Sequence, residues 1–203
     1  MYKDITGIIL SGGKSSRLGR DKSFIKFGDR TLIEITVSLM KSVFENVIIS
    51  TNSINEYSFL NCPLVEDKYK NAGPLAGIYS ALLNSQSEKN FVISCDVPLM
   101  NQQMIEYFIK YDSNKDIIIS KASGYLQPLV GIYKQSVLPI ILKLLHQPVN
   151  QCNEIKKNIS LHSLIKLANT EIIDITSLPF YTEELFFNLN THEDLKKLYM
   201  KLR

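Results

Sequence analysis

The sequence predicts an α/β fold: one domain over residues 1–203, three αβα layers around a mostly parallel, Rossmann-like sheet. Three observations predict it. The runs GIIL, VIIS, FVIS and DIIIS are continuous apolar, largely β-branched stretches, the pattern of strands buried on both faces of a parallel sheet. Segments of helical period separate them, and such alternation means βαβ units. A glycine-rich loop follows the first run directly, at the place where open α/β sheets hold ligands.

In chain order, strands are expected over residues 5–10, 46–51, 64–66, 91–94, 116–120, 126–133, 171–174 and 186–189. Helices are expected over 31–44, 73–84, 101–111, 136–145, 160–168 and 191–202. The first helix opens with Thr31 and Glu34 at capping-box spacing, and the last with Thr191 and Asp194 in the same relation. Residues 147–160 (QPVNQCNEIKKNIS) are polar without a period and read as a surface excursion.

Composition bounds the partners. A chain of 203 residues can bury roughly 70% of the surface it exposes unfolded, so no disulfide or metal staple is required. Apolar residues make up 45% and charged residues 21%, which is too apolar for disorder. A net charge of +3 with no Lys/Arg block argues against a nucleic-acid partner. No run approaches the roughly 20 apolar residues of a membrane span, and Asp4 before the short apolar run 8–10 does not suit a signal peptide. Three cysteines, Cys62, Cys95 and Cys152, without a CxxC pair read as free thiols, so a cytoplasmic protein is expected. His146, His162 and His192 show no metal-ligand spacing.

The most informative segment is LSGGKSSRLGRDK, residues 10–22. Gly12 and Gly13 let backbone approach a ligand closely, and Lys14, Arg17, Arg20 and Lys22 put four cations within nine residues. Exposed amides at the end of a first strand can cradle phosphate oxygens, so the loop reads as a nucleotide phosphate site. It is neither a Walker A loop, since Ile8 stands where that motif needs a glycine, nor a GxGxxG fingerprint. A second station is SCDVPL, residues 94–99: Asp96 falls at the carboxyl end of a buried strand on the same rim, where a carboxylate can hold Mg²⁺ against phosphate. No DxD pair occurs, which disfavours a metal-dependent glycosyltransferase.

The loop resembles the LAGGxSxRMGxxK signature of the nucleoside-diphosphosugar-transferase-like nucleotidyltransferases, and more narrowly that of the molybdenum cofactor guanylyltransferases. Ser11 replaces the usual Ala and Leu18 the usual Met. Gly12-Gly13 leans towards guanine, since CTP-using relatives typically read LAAG. Ser15-Ser16-Arg17 disfavours the sugar-phosphate branch, which typically has Gly-Thr-Arg. Asp96 matches the family's Cys-Asp-x-Pro metal aspartate. Asp67 with the GPLAG of residues 73–77, and Asn52, match nucleotide-contacting stations. QPL at 127–129 matches a strand near the acceptor, and FFNLNTHEDL at 186–195 the closing motif.

The resemblance implies transfer of GMP from GTP to the phosphate of Mo-molybdopterin with Mg²⁺, releasing pyrophosphate. Lys22, Asp96 and Arg17 would be catalytic, and Asp96 would hold the metal. Leu10, Ser11, Gly12, Gly13, Lys22, Asn52, Asp67 and Asp96 would bind nucleotide, with Gln127, Pro128, Asn188 and Asn190 on the acceptor side. GTP and Mo-molybdopterin would be the small-molecule partners, and molybdoenzyme maturation proteins the macromolecular ones. The alternatives are a cytidylyltransferase acting on molybdopterin or on a sugar or alcohol phosphate, and a nucleotide-binding regulatory protein without turnover.

Overall fold

The computed structural model describes residues 1–12, 21–146, 160–189 and 191–201. Gly13, Lys14, Arg17, Arg20, Asn190 and the excursion expected over 147–159 lie outside the described residues.

The described chain runs β1 (Tyr2–Leu10), β2 (Lys26–Phe27), β3 (Arg30–Thr31), α1 (Leu32–Val43), β4 (Phe44–Ser50), α2 (Ile54–Tyr57), β5 (Leu64–Val65), α3 (Pro74–Asn84) and β6 (Lys89–Ser94). It continues through α4 (Gln102–Lys110), β7 (Ile117–Ala122), β8 (Tyr125–Lys134), α5 (Leu138–Leu145), α6 (Leu161–Leu167), β9 (Thr170–Asp174) and α7 (His192–Lys201). Seven strands form one sheet in the order β5-β4-β1-β6-β8-β7-β9, and β2 and β3 make a small separate hairpin. β1 pairs in parallel with both β4 and β6. The chain first builds outward from β1 to β4 and β5, then returns through α3 to β6 on the other side. The crevice between β1 and β6 is thus the switch point of the sheet, and its carboxyl end is the site-forming edge.

Continuous apolar strands feed two packed faces, as their pattern requires. Ile5 and Ile9 of β1 join Val37 and Met40 of α1 and Met104 and Phe108 of α4 on one face. Ile8 and Leu10 join Leu75 and Ile78 of α3, Ile141 of α5 and Leu164 of α6 on the other. Phe91 is fully buried, stacking on Phe44 at 5.8 Å and meeting Phe108 edge-on at 5.9 Å. Each such side chain contributes about 1.5–3 kcal/mol by leaving water. Both expected capping boxes are present. Thr31 and Glu34 bond reciprocally at the head of α1, and Thr191 N donates to Asp194 while Asp194 N donates to Thr191 Oγ1 before α7.

The sheet is mostly parallel, as the sequence predicts, with one reversed strand, and one expected strand is absent. β8 runs antiparallel to both β6 and β7. The cause is local: Ser123 and Gly124 both take positive φ, 49° and 83°, which makes a tight hairpin turn and forces reversal. The strand expected over 186–189 is instead a 3₁₀ turn, Glu183–Phe186, followed by extended chain whose Leu189 N–H donates to the Asp96 carbonyl at 3.0 Å. Asn188 therefore lies on extended chain outside any strand of the sheet. Among the described residues no helix is long and apolar enough to cross a membrane.

Gly131 leaves no room for a side chain: a Cβ there would overlap the Ile118 carbonyl oxygen of the paired strand. Gly131→Ala should cost about 1–3 kcal/mol, the usual penalty for overpacking. It should lower the urea midpoint at unchanged slope, and an unchanged midpoint would refute the account of this contact.

Candidate active site

The register of β1 aligns Leu10 with Ser50 of β4 and with Ser94 of β6, so the residues just beyond, Ser11, Thr51 and Cys95, stand abreast on one rim. Backbone bonds continue the ladder past the strand ends: Ser11 N donates to Ser50 O at 2.8 Å, and Cys95 N donates to Leu10 O at 3.1 Å. These bonds occupy the Leu10 carbonyl and the Ser11 amide within the sheet. The exposed Gly12 is the first residue of the loop beyond that ladder.

After residues 13–20 the chain returns at Asp21, whose Oδ1 accepts from Ser23 N at 2.9 Å and caps a 3₁₀ turn, Lys22–Phe24. This turn sets Lys22 over the β1/β6 crevice. Its Nζ lies 4.0 Å from Asp96 Oδ2, and each side chain is 21% exposed. The distance exceeds hydrogen-bond range, so the two charges are neighbours without a direct hydrogen bond. Asp96 Oδ1 is buried and, among the described residues, has no hydrogen-bond partner. A buried, unsatisfied carboxylate oxygen costs about 1–3 kcal/mol or more, which marks a place where a ligand repays the loss.

On the β4 side, Asn52 Nδ2 donates to Asp67 Oδ2 at 2.8 Å, Asp67 N returns a bond to Asn52 Oδ1 at 3.3 Å, and Ser50 Oγ donates to Asp67 Oδ1 at 3.3 Å. Asn52 and Asp67 thus form one unit. Gly77 of α3 packs under it: a Cβ there would meet Ser50 Oγ at 3.0 Å and Asp67 Oδ1 at 3.5 Å. Pro74 starts α3 at its first turn, and the preceding Gly73 has φ +66°.

A cleft of about 580 Å³ opens near the end of β6, lined by Val97, the residue after Asp96, together with Gly73, Pro74, Gln127, Pro128 and Asn188. The structure therefore brings Gln127, Pro128 and Asn188 to one cavity, which Lys22 and Asp96 do not themselves line but which Val97 does. His162, Ser160 and Asn71 also line it, and sequence reasoning did not single them out. His162 stands on the short helix α6, where a lone histidine carries no spacing signal.

Sequence reasoning also missed Ser23 and Tyr57, and the bonds that join them to Ser11 and Cys95. Ser11, Ser23, Tyr57 and Cys95 are all buried and mutually hydrogen-bonded. Burial pushes the Cys95 thiol up to about 11 and the neighbouring Asp96 carboxylate adds to the shift, while bonds from Ser11 and Ser23 oppose it. Burial likewise holds the Tyr57 phenol well above its usual value.

A cation facing a carboxylate at the switch point of an open α/β sheet, with a cleft near the end of β6, suits an α/β protein of the nucleotidyltransferase type. The chain belongs to the family of the MobA-like NTP transferase domain, whose model matches residues 7–158. It is 32% identical over 198 residues to a protein of Carboxydothermus hydrogenoformans described as "Probable molybdenum cofactor guanylyltransferase", covering 97% of this chain and 95% of that one. Its fold is similar to molybdopterin-guanine dinucleotide biosynthesis protein A from Archaeoglobus fulgidus, with a TM-score of 0.80 at 20% identity over 97% of this chain and 98% of that one. It is also similar to 4-diphosphocytidyl-2C-methyl-D-erythritol synthase from Anaerococcus prevotii, with a TM-score of 0.71 at 13% identity over 98% and 96%. The backbone alone is thus shared across nucleotidyltransferases of different description.

The raised Cys95 thiol yields a prediction. In the unfolded chain the thiol ionises near its ordinary 9.0, while the folded protein keeps it neutral to about 11, so this group lowers stability as pH rises between those values. At pH 8 a thiol reagent should label the half-buried Cys62 and leave Cys95 unmodified, as read by peptide mass spectrometry. Fast labelling of Cys95 in native protein at pH 8 would contradict the placement.

Proposed function

We propose that the chain transfers GMP from GTP to the phosphate of Mo-molybdopterin, releasing pyrophosphate and forming molybdopterin guanine dinucleotide. The observation that carries this reading is Lys22 Nζ 4.0 Å from Asp96 at the switch point, with Asp96 Oδ1 buried and unpartnered. Membership of the MobA-like family and the 32% identity to the Carboxydothermus protein support the choice of substrates.

The residues fit a hard divalent cation, Mg²⁺. Such an ion takes one or two protein carboxylates and completes its shell with water and phosphate oxygens, and a lone half-buried carboxylate with one unsatisfied oxygen suits that demand. Among the described residues no group of three or more His, Cys, Asp or Glu gathers into a closed cage. Asp96 would hold the ion, which when bound neutralises charge on the triphosphate.

The rest of the task falls to side chains of this protein. The attacking group is a phosphate already ionised at neutral pH, so no strong general base is needed. The obstacle is repulsion: two unit charges 4 Å apart oppose each other by about 4 kcal/mol at an effective dielectric near 20, and each reactant carries several. Lys22 faces the α-phosphate and stabilises charge developing there and on the leaving pyrophosphate. Gly12 and Gly13 present backbone to the nucleotide, and Arg17 clamps the outer phosphates. The Asn52–Asp67 unit holds base or ribose, and the cleft of Gln127, Pro128 and Asn188 receives the acceptor, a role the family resemblance extends to Asn190.

Asp96→Ala should abolish pyrophosphate release, and Lys22→Ala should lower kcat by about two orders of magnitude. Near-normal turnover by either variant would remove these residues from the mechanism. Thermal-shift titration with four nucleoside triphosphates and Mg²⁺ should show stabilisation by GTP well above that by CTP. Preference for CTP would transfer the chain to the cytidylyltransferase reading.

A further inference from the structure

At the carboxyl end of β1, five side chains from four separated segments form one connected set. Tyr57 Oη donates to Asp21 Oδ2 at 3.0 Å, Ser11 Oγ donates to Tyr57 Oη at 2.8 Å, Ser11 Oγ and Ser23 Oγ are 2.7 Å apart, and Ser23 Oγ and Cys95 Sγ are 3.1 Å apart. Ser11 Oγ also lies 3.4 Å from Cys95 Sγ. Tyr57 is wholly buried and packs its ring on Phe24 at 5.0 Å.

Counting protons fixes the direction of these bonds. Each hydroxyl and the thiol has one proton to give, and an ionised carboxylate can only accept. Asp21 therefore takes the Tyr57 proton. The Tyr57 oxygen is then open to the Ser11 proton, at a shorter distance than the competing Cys95 sulfur. Ser11 in turn accepts from Ser23, and Ser23 accepts from Cys95. The order is Cys95 to Ser23 to Ser11 to Tyr57 to Asp21, with every proton used once and the anion at the end.

The two ends of the chain matter. Cys95 immediately precedes Asp96, and Asp21 immediately precedes Lys22. Asp21 also caps the 3₁₀ turn that carries Lys22, through its other oxygen. We infer that Tyr57, with Ser11 and Ser23, is a positioning residue: this one-directional chain ties the backbone of the Lys22 turn to the end of β6 and so sets the distance between the Lys22 ammonium and the Asp96 carboxylate. The inference rests on the catalytic roles proposed above for Lys22 and Asp96. It assigns no substrate contact to Tyr57, whose phenol is buried among protein groups.

The test is a double-mutant cycle in the full chain, following pyrophosphate release. Tyr57→Phe keeps the ring and its packing and removes only the hydroxyl. It should lower kcat about tenfold while the KM for GTP stays within about twofold. In a Lys22→Ala background the same change should cost less than about twofold, because the group it positions is gone. Ser23→Ala, which breaks the chain at another link, should lower kcat in the same direction and lose its effect in the same background. It decides the matter if Tyr57→Phe does not fold, as read by near-ultraviolet circular dichroism. Equal losses with and without Lys22, or an unchanged kcat in folded Tyr57→Phe and Ser23→Ala, would overturn the positioning role. A Lys22→Ala enzyme as active as wild type would instead bring down the site assignment, and this inference with it.

Discussion

Two polyanions cannot be brought into bonding distance unless their charge is countered at the point of contact, and this requirement organises the molecule. Positive charge must stand where phosphates meet, on groups that do not have to reorient at the moment of reaction. On the function proposed for this chain, that demand falls on an ammonium and a carboxylate 4.0 Å apart, each about four-fifths buried, over the crevice between β1 and β6. A pair so placed gains from mutual attraction but loses hydration, and one oxygen of the carboxylate is left with no partner. Such an arrangement is a poor device for stability and a good one for receiving a charged ligand.

The scaffold makes the arrangement possible by bringing distant segments to one edge. Three parallel strands end in register, so residues separated by 40 or more positions in the chain stand side by side. The extended chain before α7 is then drawn in by a single bond, from Leu189 N to the Asp96 carbonyl. That bond carries Asn188 to the cleft and explains why a segment with strand-like alternation is not a strand: its Leu189 N–H is committed to the site rather than to a neighbouring ladder. The buried chain from Cys95 to Asp21 adds a lateral tie that the sheet does not supply.

Much of this was legible in the residues because burial on both faces leaves a strong mark. Ile5, Ile8, Ile9 and Leu10 announce β1, and Phe91, Val92 and Ile93 announce β6. Asp96 and Lys22 were legible as chemistry because their types are informative at the end of a strand and after paired glycines. Asn52 and Asp67, far apart in sequence, were found singly, but their pairing was not, since a hydrogen bond between residues 15 apart has no periodic signature. Tyr57, Asp21 and Ser23 were missed for the same reason. Tyr57 sits in a short helix without a clear stripe, and its meaning comes wholly from partners 36 and 46 positions away. The reversal of β8 had a local signal, the Ser123-Gly124 pair, which outweighed the general expectation of parallel order.

The central claim is that Lys22 and Asp96 meet the same triphosphate. A crystal structure with Mg²⁺ and a non-hydrolysable GTP analogue tests it most directly. The account predicts phosphate oxygens within hydrogen-bond reach of Lys22 Nζ and an ion bound to the Asp96 carboxylate beside them. A triphosphate seated elsewhere, with Lys22 and Asp96 both untouched, would contradict it.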